Sequence, residues 1–217
     1  MQTIILICTV HNTIGNCNSF ELYKIIEKIQ PDIIFEELPL IVYDDCYKEY
    51  MVTLETTAVK EYIKTHSIKH IPIDTFDKKH NMHKIFAIVN DFLINNSPVY
   101  QNQIQALMDI ESEQGFTFTN SKQCDTFFDN FQIMQKRILF EINDNYLTRI
   151  YNEEKNYHSN RENEMIQNIY NYSKQNNYNK AIFFIGAGHR KSIIRKLYQY
   201  NRTSDIHLHW KIYNPSK

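Results

Sequence analysis

One stretch near the end of the chain, residues 181 to 191, constrains the fold more than any other. Its first half is apolar and stops abruptly at Gly186, Gly188, His189 and Arg190. The chain has only four glycines in 217 residues, so we expect these two where the backbone turns with positive φ or approaches another group closely. A strand, a glycine turn and a following helical pattern predict that His189 lies at the C-terminal end of a β-strand, where open α/β sheets bind their ligands.

The N-terminal part of the chain predicts a β-α-β unit. Residues 2 to 10 form an apolar run rich in β-branched side chains and lead into His11. An amphipathic helical pattern follows, and a short strand at residues 33 to 35 leads into Glu36 and Glu37. Such a crossover implies parallel strands that end at the same edge of a sheet, so His11 should meet the glutamate pair. Alternation along the strand directs the two glutamates to opposite faces, so only one is expected to enter a site.

The rest of the chain extends this unit and then departs from it. A third strand at residues 68 to 73 ends at Asp74. From residue 77 to about 175, long amphipathic patterns with almost no strand signal predict a helical insertion or cap, and Arg161 lies in its last helix. We therefore predict a single α/β domain over residues 1–217, with a mostly parallel central sheet, flanking helices and this insertion.

The composition limits the classes of partner. A formal net charge of −1 gives no long-range attraction to polyanions, so nucleic acid is not an expected partner. No stretch approaches the ~20 apolar residues that span a bilayer, so we expect no membrane partner. The four cysteines form no CxxC pair, which indicates a reducing, cytoplasmic compartment. The sequence does not determine the oligomeric state.

The predicted sheet edge offers ligands for a divalent metal. His11, His189 and Glu37, together with Asp74, supply the nitrogen and oxygen atoms that Mn²⁺, Co²⁺ or Zn²⁺ binds. Such an ion acidifies bound water to a hydroxide nucleophile or polarises a carbonyl group. Arg161, on an adjacent helix, is a candidate to stabilise the negative charge of an acyl-transfer transition state. No local pattern such as HExxH joins two of these ligands on one helix face.

Each of these residues also has an ordinary structural interpretation. A single histidine at a strand end is commonly a solvent-exposed polar residue. Asp74 has the position of a helix cap. Arg161 could pair with Glu164 on an exposed helix face.

The glycine turn suggests a binding role of its own. Gly186 and Gly188, followed by Arg190 at a predicted helix start, form a candidate site for a phosphate or carboxylate group of a substrate. A dinucleotide-binding motif would need a third glycine where Lys191 stands, so that interpretation is disfavoured.

Taken in order, these segments resemble the TraB/PrgY/Tiki family, which belongs with the ChaN and erythromycin-esterase-like proteins. The resemblance lies in residues 8 to 11, 31 to 38, 161 to 165 and 186 to 189, and it extends over the whole chain. That family is recognised by two Gly-x-x-His motifs with a glutamate and an arginine between them. The resemblance implies an EreA/ChaN-like α/β fold.

The resemblance also implies roles for individual residues. His11 and His189 would be the motif histidines, which bind a metal ion or its water. Glu37 would be the motif glutamate and Arg161 the motif arginine, while Asp74 resembles an acidic position after the third strand. Glu36 is the neighbouring carboxylate that could take the catalytic place of Glu37.

The family implies more than one function. Tiki proteins are described as metal-dependent proteases, PrgY as an inhibitor of a peptide pheromone, and ChaN as an iron- or haem-associated protein. We expect a metal-dependent hydrolase of peptide or other acyl bonds, acting on a peptide or small-molecule substrate. A sequestering protein without turnover, or a haem- or iron-associated protein, is left open. Two departures affect the site: Cys8 replaces the glycine of the first motif, and residues 39 to 41 lack the arginine that commonly follows the glutamate.

Overall fold

The computed structural model describes residues 1–48, 52–75 and 82–215. Within this part of the chain, the centre of the fold is a five-stranded sheet in which neighbouring strands all run parallel. The strands are β1 (Thr3–Thr9), β2 (Ile33–Pro39), β3 (Lys69–Asp74), β4 (Lys180–Gly186) and β5 (His209–Ile212), in the spatial order β3-β2-β4-β1-β5. The predicted α/β class with a parallel central sheet and flanking helices is confirmed.

Helices occupy most of the remaining described chain. They are α1 (Ser19–Ile29), α2 (Leu40–Tyr47), α3 (Leu54–Ile63), α4 (Met82–Asn96), α5 (Pro98–Gln114), α6 (Phe116–Thr119), α7 (Lys122–Ile142), α8 (Asn145–Gln175) and α9 (Arg190–Thr203), and a 3-10 turn at Ala187–His189 precedes α9. None of the helices in the described ranges combines the length and the apolar character needed to cross a membrane.

Alternation of side chains along the central strands produces a core on each face of the sheet. On one face, Leu6 and Phe183 pack with apolar residues of α8 and α9. On the other face, Ile7 and Ile182 pack with apolar residues of α1 and α3. Because helices cover both faces, these strands have continuous apolar sequences instead of an alternating pattern.

The helices α4 to α8 lie between β3 and β4 and form the insertion. They have a small core of their own, which includes Phe86, Leu93, Tyr100, Leu139 and Tyr151. The first part of α8 belongs to this core, whereas its second part packs against the sheet, so one 31-residue helix joins the two regions. The insertion is helical from residue 82 to residue 175, apart from short turns, and its predicted start at residue 77 lies outside the described residues.

The two glycines after β4 do not serve a left-handed turn. Positive φ occurs at Gly15 and Gly115, whereas Gly186 has a φ of −57° and Gly188 is not among the positive-φ residues. Of the two reasons we expected for these glycines, the positive φ is therefore wrong. Close approach does not require a glycine at these positions either, because a Cβ at Gly186 or Gly188 would lie 3.5 Å from its nearest neighbour, an ordinary van der Waals distance.

Side chains of the insertion complete the hydrogen bonding of β1 beyond the end of β5. The pairing of β5 with β1 reaches only Leu6. Further along β1, the Asn120 side chain accepts a hydrogen bond from the Cys8 N–H (2.8 Å) and donates one to the Cys8 carbonyl (3.0 Å). The Thr119 hydroxyl donates to the same carbonyl oxygen at 2.8 Å. The end of α6 therefore replaces a strand beside β1.

Replacing Asn120 with alanine should lower the free energy of unfolding by about 2 kcal/mol, because the buried Cys8 N–H loses its side-chain acceptor. The matched control is Asn156→Ala on the exposed face of α8, which should change that free energy by less than about 0.5 kcal/mol. Chemical denaturation of both variants measures the difference. Equal stabilities would show that Asn120 does not hold the edge of β1.

Candidate active site

A cavity of about 720 Å³ lies at the C-terminal ends of the central strands. Its polar and charged lining includes His11, Glu36, Glu37, Glu55, Asp74, His158, Arg161 and His189. Its apolar lining includes Leu38, Pro39, Val42, Cys46, Val52 and Phe184. The topology explains this position, because parallel strands present the loops after β1, β2, β3 and β4 at one edge.

Glu37 contacts several of the other residues at the site. Its Oε2 accepts a hydrogen bond from the Gly186 N–H at 2.7 Å, and its Oε1 accepts one from Arg161 at 3.2 Å. A Cβ at Gly186 would lie 3.5 Å from Glu37 Oε2 and 3.7 Å from both His11 Nε2 and His189 Cδ2. These ordinary contact distances show that the three side chains converge beside Gly186.

His189 lies between two carboxylates. Its Nδ1 is 2.7 Å from Oε1 of Glu162, and its Nε2 is 3.6 Å from Oε1 of Glu37. Burial by itself would lower the pKa of His189, but the hydrogen bond with Glu162 and the charge of Glu37 raise it above the ordinary value.

Glu162 is held as a carboxylate in the wall behind His189. It accepts a hydrogen bond from the Ser192 hydroxyl at 2.6 Å and pairs with Lys196 at 3.0 Å. Burial would raise the pKa of Glu162, but the hydrogen bonds from His189 and Ser192 outweigh it and lower that pKa to about 2. Glu162 therefore fixes the orientation of the His189 ring and favours its protonated form.

His11 has the same kind of support from Glu55. Its Nδ1 lies 3.3 Å from Oε1 of Glu55, which also accepts a hydrogen bond from the Thr9 hydroxyl at 2.6 Å. The hydrogen bond with Glu55 raises the pKa of His11 to about 9. Oε2 of Glu55 is buried and has no hydrogen-bond partner among the described residues, so one carboxylate oxygen in the cavity wall is free to accept.

Arg161 joins the carboxylates of Asp74 and Glu37. Its Nε donates to Oδ1 of Asp74 at 3.1 Å, and its Nη2 donates to Oδ2 of Asp74 at 2.5 Å and to Oε1 of Glu37 at 3.2 Å. Its Nη1 lies 3.4 Å from Nδ1 of His158. Arg161 thus pairs with the site instead of with Glu164. Asp74 binds Arg161 and also accepts a hydrogen bond from the adjacent Thr75 N–H, while the segment that it would cap continues outside the described residues.

Glu36 lines the same cavity but is engaged elsewhere. It is only 1% exposed, and its Oε2 accepts a hydrogen bond from the Tyr47 hydroxyl at 2.6 Å. Its Oε1 lies 3.0 Å from Nδ1 of His70. Glu37, and not Glu36, is therefore the carboxylate that the structure brings to His11, His189 and Arg161.

None of the three residues that we predicted as ligand-binding belongs to the lining of this cavity. Arg190 is buried and pairs with Asp125 in α7, so its guanidinium is engaged away from this cavity. Gly188 lies on a second cavity, where a Cβ added to it would be 3.5 Å from the Phe128 ring. Of the three predicted ligand-binding residues, Gly186 alone contacts Glu37.

The sequence analysis missed Glu55 and Glu162, although both carry a signal. Each glutamate is the first residue of a buried helical stripe with the spacing i, i+3, i+4 and i+7. The stripes are Glu55, Ala58, Val59 and Tyr62 in α3, and Glu162, Met165, Ile166 and Ile169 in α8. A carboxylate in an apolar stripe requires a partner, because burying an unpaired charge is costly. The partners are His11 and His189.

The donor types at the centre of the site fit a divalent metal. In both histidines a carboxylate contacts Nδ1, so Nε2 is the ring nitrogen on the side of the cavity. This arrangement is typical of metal-bound histidines. Within residues 1–48, 52–75 and 82–215, however, no three His, Cys, Asp or Glu side chains are grouped closely enough to hold an ion as they stand. Both oxygens of Asp74 accept hydrogen bonds from Arg161, so Asp74 could bind an ion only if that ion pair loosened. His11, His189 and Glu37 could bind an ion only after side-chain movement and loss of the imidazole protons.

Comparison of the chain with models of protein families, with curated proteins and with solved structures finds no match. The resemblance to the TraB/PrgY/Tiki family therefore depends on the sequence segments quoted above. The residues that carry it, His11, Glu37, Arg161 and His189, converge on one cavity.

Glu55→Gln should lower the pKa of His11 from about 9 toward its ordinary value of 6.5, because a neutral amide no longer stabilises the imidazolium. NMR titration of the His11 ring protons measures the change. Glu61→Gln, which removes an exposed carboxylate of the same helix, should leave the pKa of His11 as it is in the parent. If the pKa of His11 were unchanged in Glu55→Gln, the interaction between His11 and Glu55 would be contradicted.

The same pair makes the stability depend on pH. Because the pKa of folded His11 lies above the unfolded value of 6.5, its contribution is fully present below pH 6.5 and is lost as the pH rises through about 9. The contribution is small, since 59% of the His11 side chain is exposed and water screens the pair.

Proposed function

We propose that this chain is a hydrolase of peptide or other acyl bonds, of the TraB/Tiki type, and that it acts on a peptide or small-molecule substrate in the cavity at the sheet edge. The observation that carries the proposal is the row Glu162, His189 and Glu37, in which one imidazole lies between two carboxylates. His11 and Arg161 flank this row. An acid, a base and positive charge at one cavity are the groups that acyl-bond hydrolysis requires.

Glu37 and His189 divide the proton transfers between them. Glu37 accepts a proton from a water molecule as the oxygen of that water forms a bond with the acyl carbon. His189 donates its Nε2 proton to the leaving nitrogen or oxygen atom as the acyl bond breaks. Glu37 then returns its proton to His189, whose Nε2 lies 3.6 Å away, and both residues regain their starting states.

His11 and Arg161 supply the positive charge. The pKa of about 9 keeps His11 protonated at neutral pH, so its Nε2–H can donate to the oxyanion of the tetrahedral intermediate. Arg161 is mainly engaged with Asp74 and Glu37, so we assign it a positioning role for the Glu37 carboxylate. This differs from the direct transition-state role that we first expected for the arginine.

The proposal also includes a form that uses a divalent metal. His11, His189 and Glu37 would hold the ion, which would supply an acidified water or polarise the acyl carbonyl. In that form Glu55 and Glu162 orient the imidazoles through Nδ1, as they do in the arrangement described above. Arg161 would have to release Oε1 of Glu37, and Asp74 would keep the guanidinium in place.

The apolar wall of the cavity indicates an apolar group beside the bond to be cleaved. It is formed by Leu38, Pro39, Val42 and Val52, which line the same cavity as the histidines. The same wall favours a second candidate function, a protein of the PrgY type that sequesters a peptide without cleaving it. The two functions differ in whether His189 is required.

Hydrolysis of fluorogenic peptides and aryl esters with apolar acyl groups tests the proposal. We expect His189→Ala to lower kcat/KM by at least about 100-fold, because it removes the acid and leaves Glu37 without its proton partner. His207→Ala, which removes an exposed histidine outside the cavity, should retain the parental rate. Parental turnover in His189→Ala would overturn the assignment. Saturable peptide binding without turnover in the parent would favour the sequestering function.

Elemental analysis tests the metal-assisted form. After titration with Mn²⁺, Co²⁺ or Zn²⁺, we expect nearly one equivalent of metal per parental chain and a loss of that metal in both His11→Ala and His189→Ala. Binding should weaken as the pH falls below about 9, because protons compete for the imidazole of His11. Metal that persists in both variants would show that these histidines do not form its site. Full activity of the metal-free protein would contradict the metal-assisted form and favour the mechanism in which Glu37 and His189 transfer the protons without a metal.

A further inference from the structure

A second cavity, of about 460 Å³, adjoins the first at His189. His158 and His189 line both cavities. Glu37, near Nε2 of His189, lines the first cavity, whereas Glu162, which holds Nδ1, lines the second. The His189 ring is therefore part of the wall between the two cavities.

The carboxylates of the second cavity all have cationic partners. Asp125 pairs with Arg190, Asp129 pairs with Lys191, and Glu162 pairs with His189 and Lys196. These ion pairs neutralise the negative charge of the wall. They also occupy Arg190 and Lys191, the two cations that follow the glycine turn in the sequence.

Three cations of the second cavity have no such partner. Lys136, Lys155 and Arg195 line it, and none of them forms an ion pair with a residue in the described part of the chain. Lys155 lies over the Tyr151 ring, with Nζ 4.9 Å from the ring centroid. Burial and the positive charge of Lys136 lower the pKa of Lys155, while Glu154 acts in the opposite direction. The cavity thus has an excess of positive charge, which attracts anions.

We propose that the second cavity binds an anionic group of the substrate, a carboxylate or a phosphate, through Lys136, Lys155 and Arg195. The assignment of this group to the substrate rests on the proposed function. The three cations come from α7, α8 and α9, so an anion bound among them would contact all three helices around the site. The substrate class is an acyl compound with an apolar group on one side of the scissile bond and an anionic group on the other.

This position explains how the anion would affect specificity. The first cavity holds the reacting bond between Glu37 and His189, and the second begins at the opposite side of the His189 ring. An anionic group bound in the second cavity would lie at a fixed distance from His189, the proposed acid. It would therefore determine which bond of the substrate is placed between Glu37 and His189. A charge-assisted contact of this kind is shorter and stronger than a hydrogen bond between neutral groups.

Titration of the complete protein with inorganic phosphate, and separately with acetate, tests the subsite at constant ionic strength. Backbone amide NMR shifts measure binding, and we expect saturable shifts around Gly188 and Ser192. Lys155→Met and Arg195→Gln should each weaken binding by about tenfold. Arg202→Gln, which removes an exposed charge two turns further along α9, should change it by less than about twofold.

The two arms distinguish the sources of the anion. Tighter binding of phosphate supports a phosphorylated substrate, and tighter binding of acetate supports a carboxylate. The subsite is overturned if neither anion binds saturably, or if Lys155→Met and Arg195→Gln bind as the parent does. Because Arg195 is exposed, Arg195→Gln keeps the test valid even where Lys155→Met fails to fold.

The anion titration requires no turnover, so it separates this inference from the proposed function. Anion binding in a protein that cleaves no acyl bond would support the proposed subsite and contradict the proposed hydrolase function. Hydrolysis that depends on His189, without anion binding, would support the proposed hydrolase function and contradict the proposed subsite. Where both hold, Arg195→Gln should raise KM for an anionic substrate and leave kcat unchanged.

Discussion

The hydrogen bond from the Gly186 N–H to Glu37 is the interaction on which the site depends. The pairing between β2 and β4 ends at Phe35 and Phe183, and this side-chain contact joins the two strands beyond that point. It holds the carboxylate where His189 and Arg161 reach it. A Cβ at residue 186 would make ordinary contacts with Glu37 and the two histidines, so the site depends on the backbone N–H of this residue and not on the absence of a side chain.

The electrostatics of the site follow from two matching pairs. Glu55 in α3 and Glu162 in α8 each lie at the start of an apolar helical stripe. The carboxylate of each one contacts Nδ1 of a histidine that follows a strand. The helices that cover opposite faces of the sheet thereby each orient one imidazole. A buried carboxylate raises the pKa of its histidine, so the packing of the helices also sets the charge of the cavity.

The sequence predicts the strands and the edge at which they end because both depend on local patterns. The apolar runs, the polar residues that stop them and the parallel crossover suffice to bring His11, Glu37 and His189 together. Glu55 and Glu162 are separated from their histidines by 44 and 27 residues, and no local rule connects them. The engagement of Arg190 by Asp125 depends on how α7 packs against α9, which no local pattern reveals.

The end of α6 beside β1 has a consequence for behaviour in solution. A strand whose outer N–H and C=O groups are unpaired is a template on which a strand of another molecule can add. Beyond Leu6, Asn120 and Thr119 already occupy those groups at Cys8. The insertion, which supplies His158 and Arg161 to the cavity, therefore also protects this sheet edge against edge-to-edge association, and loss of its contact with β1 would expose the chain to aggregation.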